Sequence, residues 1–271
     1  MVSAEAEYTL KAMGLSERTI KQYLNVVRLV EEAYGKPLRE VTLDEIFRFL
    51  ANLTPQSRFA YAIALRSVLK AIGREDYARI KIPRAPHRRY VVIEEEKVKE
   101  ICMDLAGRDL KLATAIALAY ELALRVSELA NMKLKDIDMD NWVATVERIK
   151  VRLVQRLPIV SDWVRTLLVR YIGLHPRHTE YLIYSRKKPY RYSVSSLSYL
   201  ITKTLREYGL EAKAHDLRHS RATNLLRMGL DIRALQLFLG HTSIAMTERY
   251  THLTEVDLKK MIEELYAKAQ K

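Results

Sequence analysis

Four residues in the last quarter of the chain have the types and spacing to work on a phosphodiester. His215 and Arg218 stand in AHDLRHS, His241 follows Leu239 and Gly240, and Tyr250 comes nine residues later in ERYTH. A phenol can attack phosphorus once its proton is taken, and cationic donors can hold the oxygens that gain charge as it does so. Imidazole titrates near neutrality and a phenol at about 10, so His215 suits the proton transfers. Arg218 offers paired N–H donors to two phosphate oxygens, a fork that lysine lacks. Taken singly, each residue has a plainer reading. A histidine after Leu-Gly is commonly a helix-end residue, and an arginine near a helix is commonly a solvated cation.

The composition favours a polyanionic partner for that chemistry. Of 271 residues, 49% are apolar and 29% charged, and 46 Lys+Arg against 33 Asp+Glu leave a net charge of +13. Nucleic acid is the leading candidate. Residues 1–82 hold 13 basic and 10 acidic residues, so +10 of the excess falls on the remainder. Few Asn and Gln beside abundant Lys, Arg and Glu is a pattern of proteins from hot environments. A single cysteine, Cys102, excludes a disulfide framework and a cysteine-based zinc site and fits a reducing cytosol. The start, MVSAEAEYTLKAMG, has no apolar run of a secretory signal, and Leu112 to Leu124 is too short and too polar for a membrane span. A cytoplasmic protein is expected.

Length argues for two domains. Residues 1–82 read as a bundle of four or five short helices. Ser16 opens a helical pattern through Ile20, Tyr23, Leu24, Val27 and Val30 that ends at Gly35. Thr42 with Glu45 has capping-box spacing, and Thr54-Pro55 opens a helix that ends at Gly73. Residues 83–90, PRAPHRRY, form a basic linker in which Pro83 and Pro86 forbid helix. Arg84, Arg88 and Arg89 make it either a solvated loop or a strap along a phosphate backbone. The domain of residues 91–271 is expected to hold helices at 94–106, 109–124, 127–132, 193–208, 215–228, 232–239, 243–252 and 255–269. Strands are expected at 142–149 and 151–160, with a lone strand at 181–184. The fold class is therefore mainly α with a small antiparallel β-sheet in the C-terminal domain.

Arg125 in LRVSEL, His215 and Arg218 in HDLRHSRAT, His241 in LGH and Tyr250, in that order and spacing, resemble the tyrosine recombinase (phage integrase) family. Within it the chain is most similar to the Xer type of archaeal or thermophilic organisms. The resemblance covers the whole layout. It implies a SAM-like helical core-binding domain, an integrase-type catalytic domain, and a reaction that needs neither metal nor other cofactor. Tyr250 would attack the scissile phosphate, form a 3′-phosphotyrosyl link and release a 5′-hydroxyl. Arg125 and Arg218 would clamp the phosphate oxygens, His215 would act as base and then acid, and His241 would donate a hydrogen bond. The family places an acidic lysine on a hairpin, and Lys150, eight residues before Pro158, stands where that lysine would be. Two departures bear on this: Ile149-Lys150-Val151 replaces the usual Gly-Lys-Gly turn, and Ala123-Leu124 precedes Arg125 where a Thr-Gly pair is common. Glu128 resembles the family's supporting carboxylate, which would orient the cations; its alternative is a helix-surface acid.

The same resemblance implies double-stranded DNA as partner, with a dif-like site and chromosome dimer resolution as the housekeeping role. Thr19, Lys21, Gln56, Ser57, Arg58, Arg66 and Lys70 lie on helices that the family lays in major grooves; a solvated charged face is the alternative for any one of them. Asp216 and His219 read as helix-start residues, and Arg221 and Tyr192 as surface or packing residues. The amphipathic segment EVDLKKMIEELYAKAQ is expected to dock on a neighbouring protomer, the protein being a monomer or dimer alone and a tetramer on two DNA sites, with folding back in cis as the rival. A phage or plasmid integrase, a type IB topoisomerase and a non-catalytic DNA-binding scaffold are the other readings.

Overall fold

The computed structural model of the chain describes residues 2–84, 90–148, 153–176, 178–188, 190–240 and 255–269. Its contacts divide the chain into two compact units, Met1–Arg89 and Tyr90–Lys271. Each unit closes its own hydrophobic core.

The first unit contains α1 (Val2–Ala12), α2 (Glu17–Tyr34), α3 (Leu43–Ala51) and α4 (Pro55–Ala71), then a short 3₁₀ turn at Glu75–Arg79. Local chemistry sets the boundaries. Ser16 and Thr54 accept the backbone N–H groups of Thr19 and Ser57. Thr42 and Glu45 form a reciprocal capping box, and Gly35 ends α2 at φ 65°, where a side chain would be strained. Ile20, Val27, Val30, Leu38, Ile46, Leu65, Val68 and Leu69 fill the core, each stabilising by about 1.5–3 kcal/mol. Arg74 pins the unit's end by donating to the Leu38 and Val41 carbonyls at 3.0 and 2.6 Å.

The second unit is built on α6 (Leu110–Glu121), which is buried along nearly its whole length and packs against α5 (Glu95–Leu105), α8 (Asp162–Gly173) and α10 (Ala214–Arg227). A helix apolar all round belongs at the centre of a core. The short α7 (Val126–Asn131) follows, then a three-stranded antiparallel sheet of β1 (Ile137–Asp138), β2 (Val143–Arg148) and β3 (Leu153–Pro158) in the order β1-β2-β3. The β2–β3 register pairs Val143 with Pro158 and Arg148 with Leu153. The remaining helices among the described residues are α9 (Val194–Glu207), α11 (Ile232–Phe238) and α12 (Glu255–Ala269).

Three expectations change. Helix α8 had no counterpart in the sequence reading. The lone strand at 181–184 is instead two isolated bridges, Lys133 with Tyr181 and Tyr184 with Arg191, because among the described residues no neighbouring strand runs alongside. The terminal helix takes the rival course and packs in cis. Ile262 is buried and Met261 and Leu265 lie on the core of its own unit, and Lys259 reaches the Asn141 carbonyl at 3.0 Å. Its anchor is Tyr266, whose hydroxyl donates to both Glu95 carboxylate oxygens at 3.0 and 2.7 Å and accepts from Arg221. Arg221 is almost fully buried, pairs with Glu121 at 2.8 Å and Glu95 at 3.1 Å, and lies over the rings of Tyr120 and Tyr266. Glu121 also accepts the Val160 and Ser161 amides, which fixes the start of α8. The packing role expected of Arg221 is what the structure gives it.

Candidate active site

The site grows from the turn between α6 and α7. Ala123 takes φ 45°, a left-handed conformation unusual for a residue with a side chain, at the place where the sequence departs from Thr-Gly. That conformation costs roughly 1–2 kcal/mol. The Ala123 carbonyl accepts a hydrogen bond from Arg218 at 2.5 Å, which ties the strained turn to the clamp. Arg125 then becomes the N-cap residue of α7, and Glu128, three positions on, closes the cap by accepting the Arg125 amide at 2.8 Å. Arg-x-x-Glu spacing thus serves the helix start and the site together.

Glu128 is the hub. Its Oε1 accepts from the Arg125 guanidinium at 2.7 Å and its Oε2 from the Arg148 guanidinium at 2.7 Å, with Arg218 at 3.9 Å. One carboxylate therefore faces three arginines. Burial, and then the charges of Arg125 and Arg148, push the Arg218 pKa down to about 9 against the pull of Glu128. Arg218 stays charged at neutral pH, in a place where that charge is poorly solvated. An anion's oxygens would relieve the cost. The Arg125 side chain is 23% exposed while those of Arg218 and Arg148 are 5% and 0% exposed, so Arg125 is the guanidinium open to solvent.

Helix α10 carries the other two described members. Asp216 accepts the Lys213 amide at 2.8 Å and caps the helix start, as expected of it. His215 in the first turn is exposed and Arg218, one turn on, is buried. Behind His215, the His219 ring meets it edge to face at 4.7 Å and lies against Tyr90 at 3.7 Å. Arg218 also donates to the Leu239 carbonyl at 2.7 Å, at the end of α11. The structure thus brings Arg125, Glu128 and Arg218 into one cluster, with His215 exposed one turn before Arg218. Lys150, His241 and Tyr250 lie outside the described residues, as do Arg88 and Arg89 of the linker.

Arg148 is the member that sequence reasoning missed. Ala144, Val146 and Arg148 are the buried, period-two positions of β2 and Glu147 is exposed, so strand alternation was the available signal.

The first unit's expected DNA residues divide. Lys21, Gln56 and Lys70 are exposed, and so is Arg84 beyond the unit's 3₁₀ turn. Arg58 is occupied within the fold: it donates to the carbonyls of Leu50, Ala51 and Leu53 at 3.0, 2.8 and 3.0 Å, where α3 ends. Arg66 reaches the Ile80 carbonyl at 3.3 Å. Thr19 and Ser57 bond to the capping hydroxyls of Ser16 and Thr54 at 2.8 and 3.2 Å.

Among the described residues, no helix is long and apolar enough to cross a membrane. The phage integrase family model matches residues 92–256. The chain is similar to tyrosine recombinase XerA of Thermococcus kodakarensis, 32% identical over 270 residues that cover 96% of this chain and 93% of that one. It is similar also to tyrosine recombinase XerA of Pyrococcus furiosus, 30% identical over 265 residues, 94% and 90% of the two chains. Among solved structures, a crystal structure of XerA recombinase matches 97% of both chains with a TM-score of 0.51 at 25% identity. A lambda integrase dimer bound to a COC' core site shares the fold, with a TM-score of 0.72 at 21% identity over 92% of this chain and 75% of that one. The arginines around Glu128 lie inside the matched region, and the chain belongs to the phage integrase family of Xer-type tyrosine recombinases, enzymes that cut and rejoin DNA.

Proposed function

We propose that this protein is a site-specific recombinase that exchanges DNA strands through a 3′-phosphotyrosyl intermediate on Tyr250. The observation that carries the reading is the cluster of three arginines on one buried carboxylate, open to solvent through Arg125. Among the described residues it is a preorganised cationic site, with three guanidiniums to one carboxylate. A phosphodiester supplies the missing anion. Arg125 and Arg218 hold its non-bridging oxygens and oppose the charge of the pentacoordinate state. His215, exposed beside them, takes the Tyr250 proton and returns it in the reverse step. His241 donates to the phosphate, and Lys150 protonates the leaving 5′-oxygen. No metal enters the scheme.

Residues 1–82 form the core-binding domain, with Lys21, Gln56 and Lys70 on its exposed face. Residues 83–90 run along the backbone with Arg84, Arg88 and Arg89, and residues 91–271 form the catalytic domain. The substrate is a dif-like site, the assembly a tetramer on two duplexes, the role chromosome dimer resolution and the compartment the cytoplasm. The similarity to XerA proteins supports the Xer role over a phage integrase.

A suicide-substrate assay tests the scheme. A nicked duplex library from the source genome is incubated with wild-type protein and with Tyr250→Phe, and covalent adducts are isolated and sequenced. Wild type should trap a recurring palindromic site, and the Phe variant should trap none. An adduct that persists in Tyr250→Phe removes Tyr250 as nucleophile. Relaxation of supercoiled DNA with no site preference would point to a topoisomerase.

A further inference from the structure

We propose that Arg148 is a positioning residue for the phosphate-binding arginines, and that through Arg148 and Gln155 the β2–β3 hairpin sets where α11 ends. The proposal rests on the reading of Arg125 and Arg218 as a phosphate clamp.

Arg148 has no exposed side-chain surface, so it cannot touch DNA. Its nitrogens point three ways. Nη1 donates to Glu128 at 2.7 Å, Nε to the Gln155 side-chain oxygen at 3.1 Å, and Nη2 to the Phe238 carbonyl at 2.7 Å. The first bond holds Glu128, whose other oxygen holds Arg125. Arg125 therefore inherits its position from a residue that never meets substrate. The other bonds act on α11. Gln155 donates to the Leu237 carbonyl at 2.6 Å, Arg148 to Phe238, and Arg218 to Leu239 at 2.7 Å. Three successive carbonyls at that helix end are taken by side chains from β3, β2 and α10. The Leu237 carbonyl also accepts the Gly240 amide at 2.8 Å, and all three carbonyls lie at the negative end of the helix dipole.

Gly240 completes the joint. It adopts φ 65°, and a β-carbon there would lie 3.0 Å from Arg148 Cγ and 3.1 Å from its Nε. The arginine occupies the space beside the chain as it leaves the helix, one residue before His241 in sequence. Lysine carries its donors on one nitrogen and lacks the fork that reaches acceptors on three elements, and an apolar residue has no donor. Buried ion pairs add little net stability over apolar replacements. Geometric placement is the role that accounts for a fully buried arginine with acceptors on three elements.

The test compares full-length wild type, Arg148→Lys, Arg148→Met and Gln155→Leu on the duplex that wild type traps covalently. Single-turnover adduct formation, DNA affinity by mobility shift and amide exchange are followed well below each melting temperature. Arg148→Lys and Arg148→Met should bind DNA within about threefold of wild type yet form adduct about 100-fold more slowly, the effect of an ångström-scale misplacement. Gln155→Leu, a milder change if the others fold poorly, removes the bond from Arg148 Nε and the bond to the Leu237 carbonyl and should slow adduct formation at least about tenfold. Amides of Leu239 and Gly240 should exchange faster in all three. Adduct rates within threefold of wild type in Arg148→Met would overturn the proposal. If wild type traps nothing, the recombinase reading fails by itself, and unchanged exchange at Leu239 and Gly240 in Arg148→Lys then overturns the positioning role as well.

Discussion

Replacing Glu128 by Gln removes the one negative charge that faces three arginines and changes almost nothing in shape. The two close pairs at 2.7 Å and the third at 3.9 Å correspond to gross attractions of about 6, 6 and 4 kcal/mol at an effective dielectric constant of about 20. Most of that gross sum is offset, because the neutral side chain no longer carries the desolvation cost of a buried carboxylate. What remains is a buried Arg148 with no counter-ion, a situation that costs about 3–5 kcal/mol. For a unit of this size the melting temperature should fall by roughly 6–20 °C. Both tryptophans, Trp142 and Trp163, lie in the second unit, so urea unfolding followed by tryptophan fluorescence reports on that unit alone. The midpoint should shift with the slope unchanged. Saturating DNA should narrow the gap to wild type, because a phosphate brings back negative charge beside the same guanidiniums. A loss below about 1 kcal/mol without DNA, or a gap that DNA leaves unchanged, would refute the hub role of Glu128.

Tyr266→Phe deletes the hydroxyl shared by Glu95 and Arg221; with those groups left short of a partner, stability should fall by about 1–3 kcal/mol in thermal unfolding, and an unchanged melting curve would show that the phenol does not anchor α12. Gly240→Ala combines a left-handed backbone with contact against Arg148, so a loss of about 2 kcal/mol and slower adduct formation are expected, measurable in the urea and suicide-substrate assays. Glu45 gives a pH signature in the first unit. The hydrogen bonds from Lys36 and the Thr42 amide hold its carboxyl down at about 2. A folded pKa below the unfolded one adds stability above the unfolded value, and that stability drains away as pH falls from about 4.5 to about 2. Glu45→Gln should flatten the acid limb, seen at the Thr42 amide resonance.

How much of this was legible follows how local each interaction is. Caps at Ser16, Thr42 and Thr54 and the stop at Gly35 depend on neighbours within four residues, and the sequence displays them. Helix α8 escaped because its start is capped from far away: the Val160 and Ser161 amides bond to Glu121 on α6 rather than to a nearby side chain. The apolar spacing of Trp163, Val164, Leu167, Leu168 and Tyr171 was readable in its place. Arg125, Glu128 and Arg218 were found through motif order, but the reason for Glu128 became visible only when α7 placed its carboxylate between Arg125 and a strand. Arg148 stood in VER, where a charged pair suggests a solvent face. Its inward phase depended on the sheet having formed, and its partners lie 7, 20 and 90 residues away, the nearest of them across the hairpin on β3.

Among the described residues the second unit holds two buried charge clusters, and their balance separates their roles. Around Arg221, Glu95 and Glu121 outnumber the single arginine, and the hydroxyls of Tyr266 and Ser161 bond to the surplus carboxylate oxygens. That cluster finds its donors inside the protein, and its elements α5, α6, α10 and α12 are held together by it. Around Glu128 the count runs the other way, with three arginines to one carboxylate. Further acceptors there, among the described residues, are the backbone carbonyls of Ala123, Phe238 and Leu239 and the Gln155 side chain, which are neutral. Neutral dipoles satisfy hydrogen bonds but do not cancel two units of positive charge. A fold whose only task was stability would gain from exchanging that excess for apolar packing. An excess placed next to an exposed guanidinium is instead what the proposed phosphodiester site would require before DNA arrives.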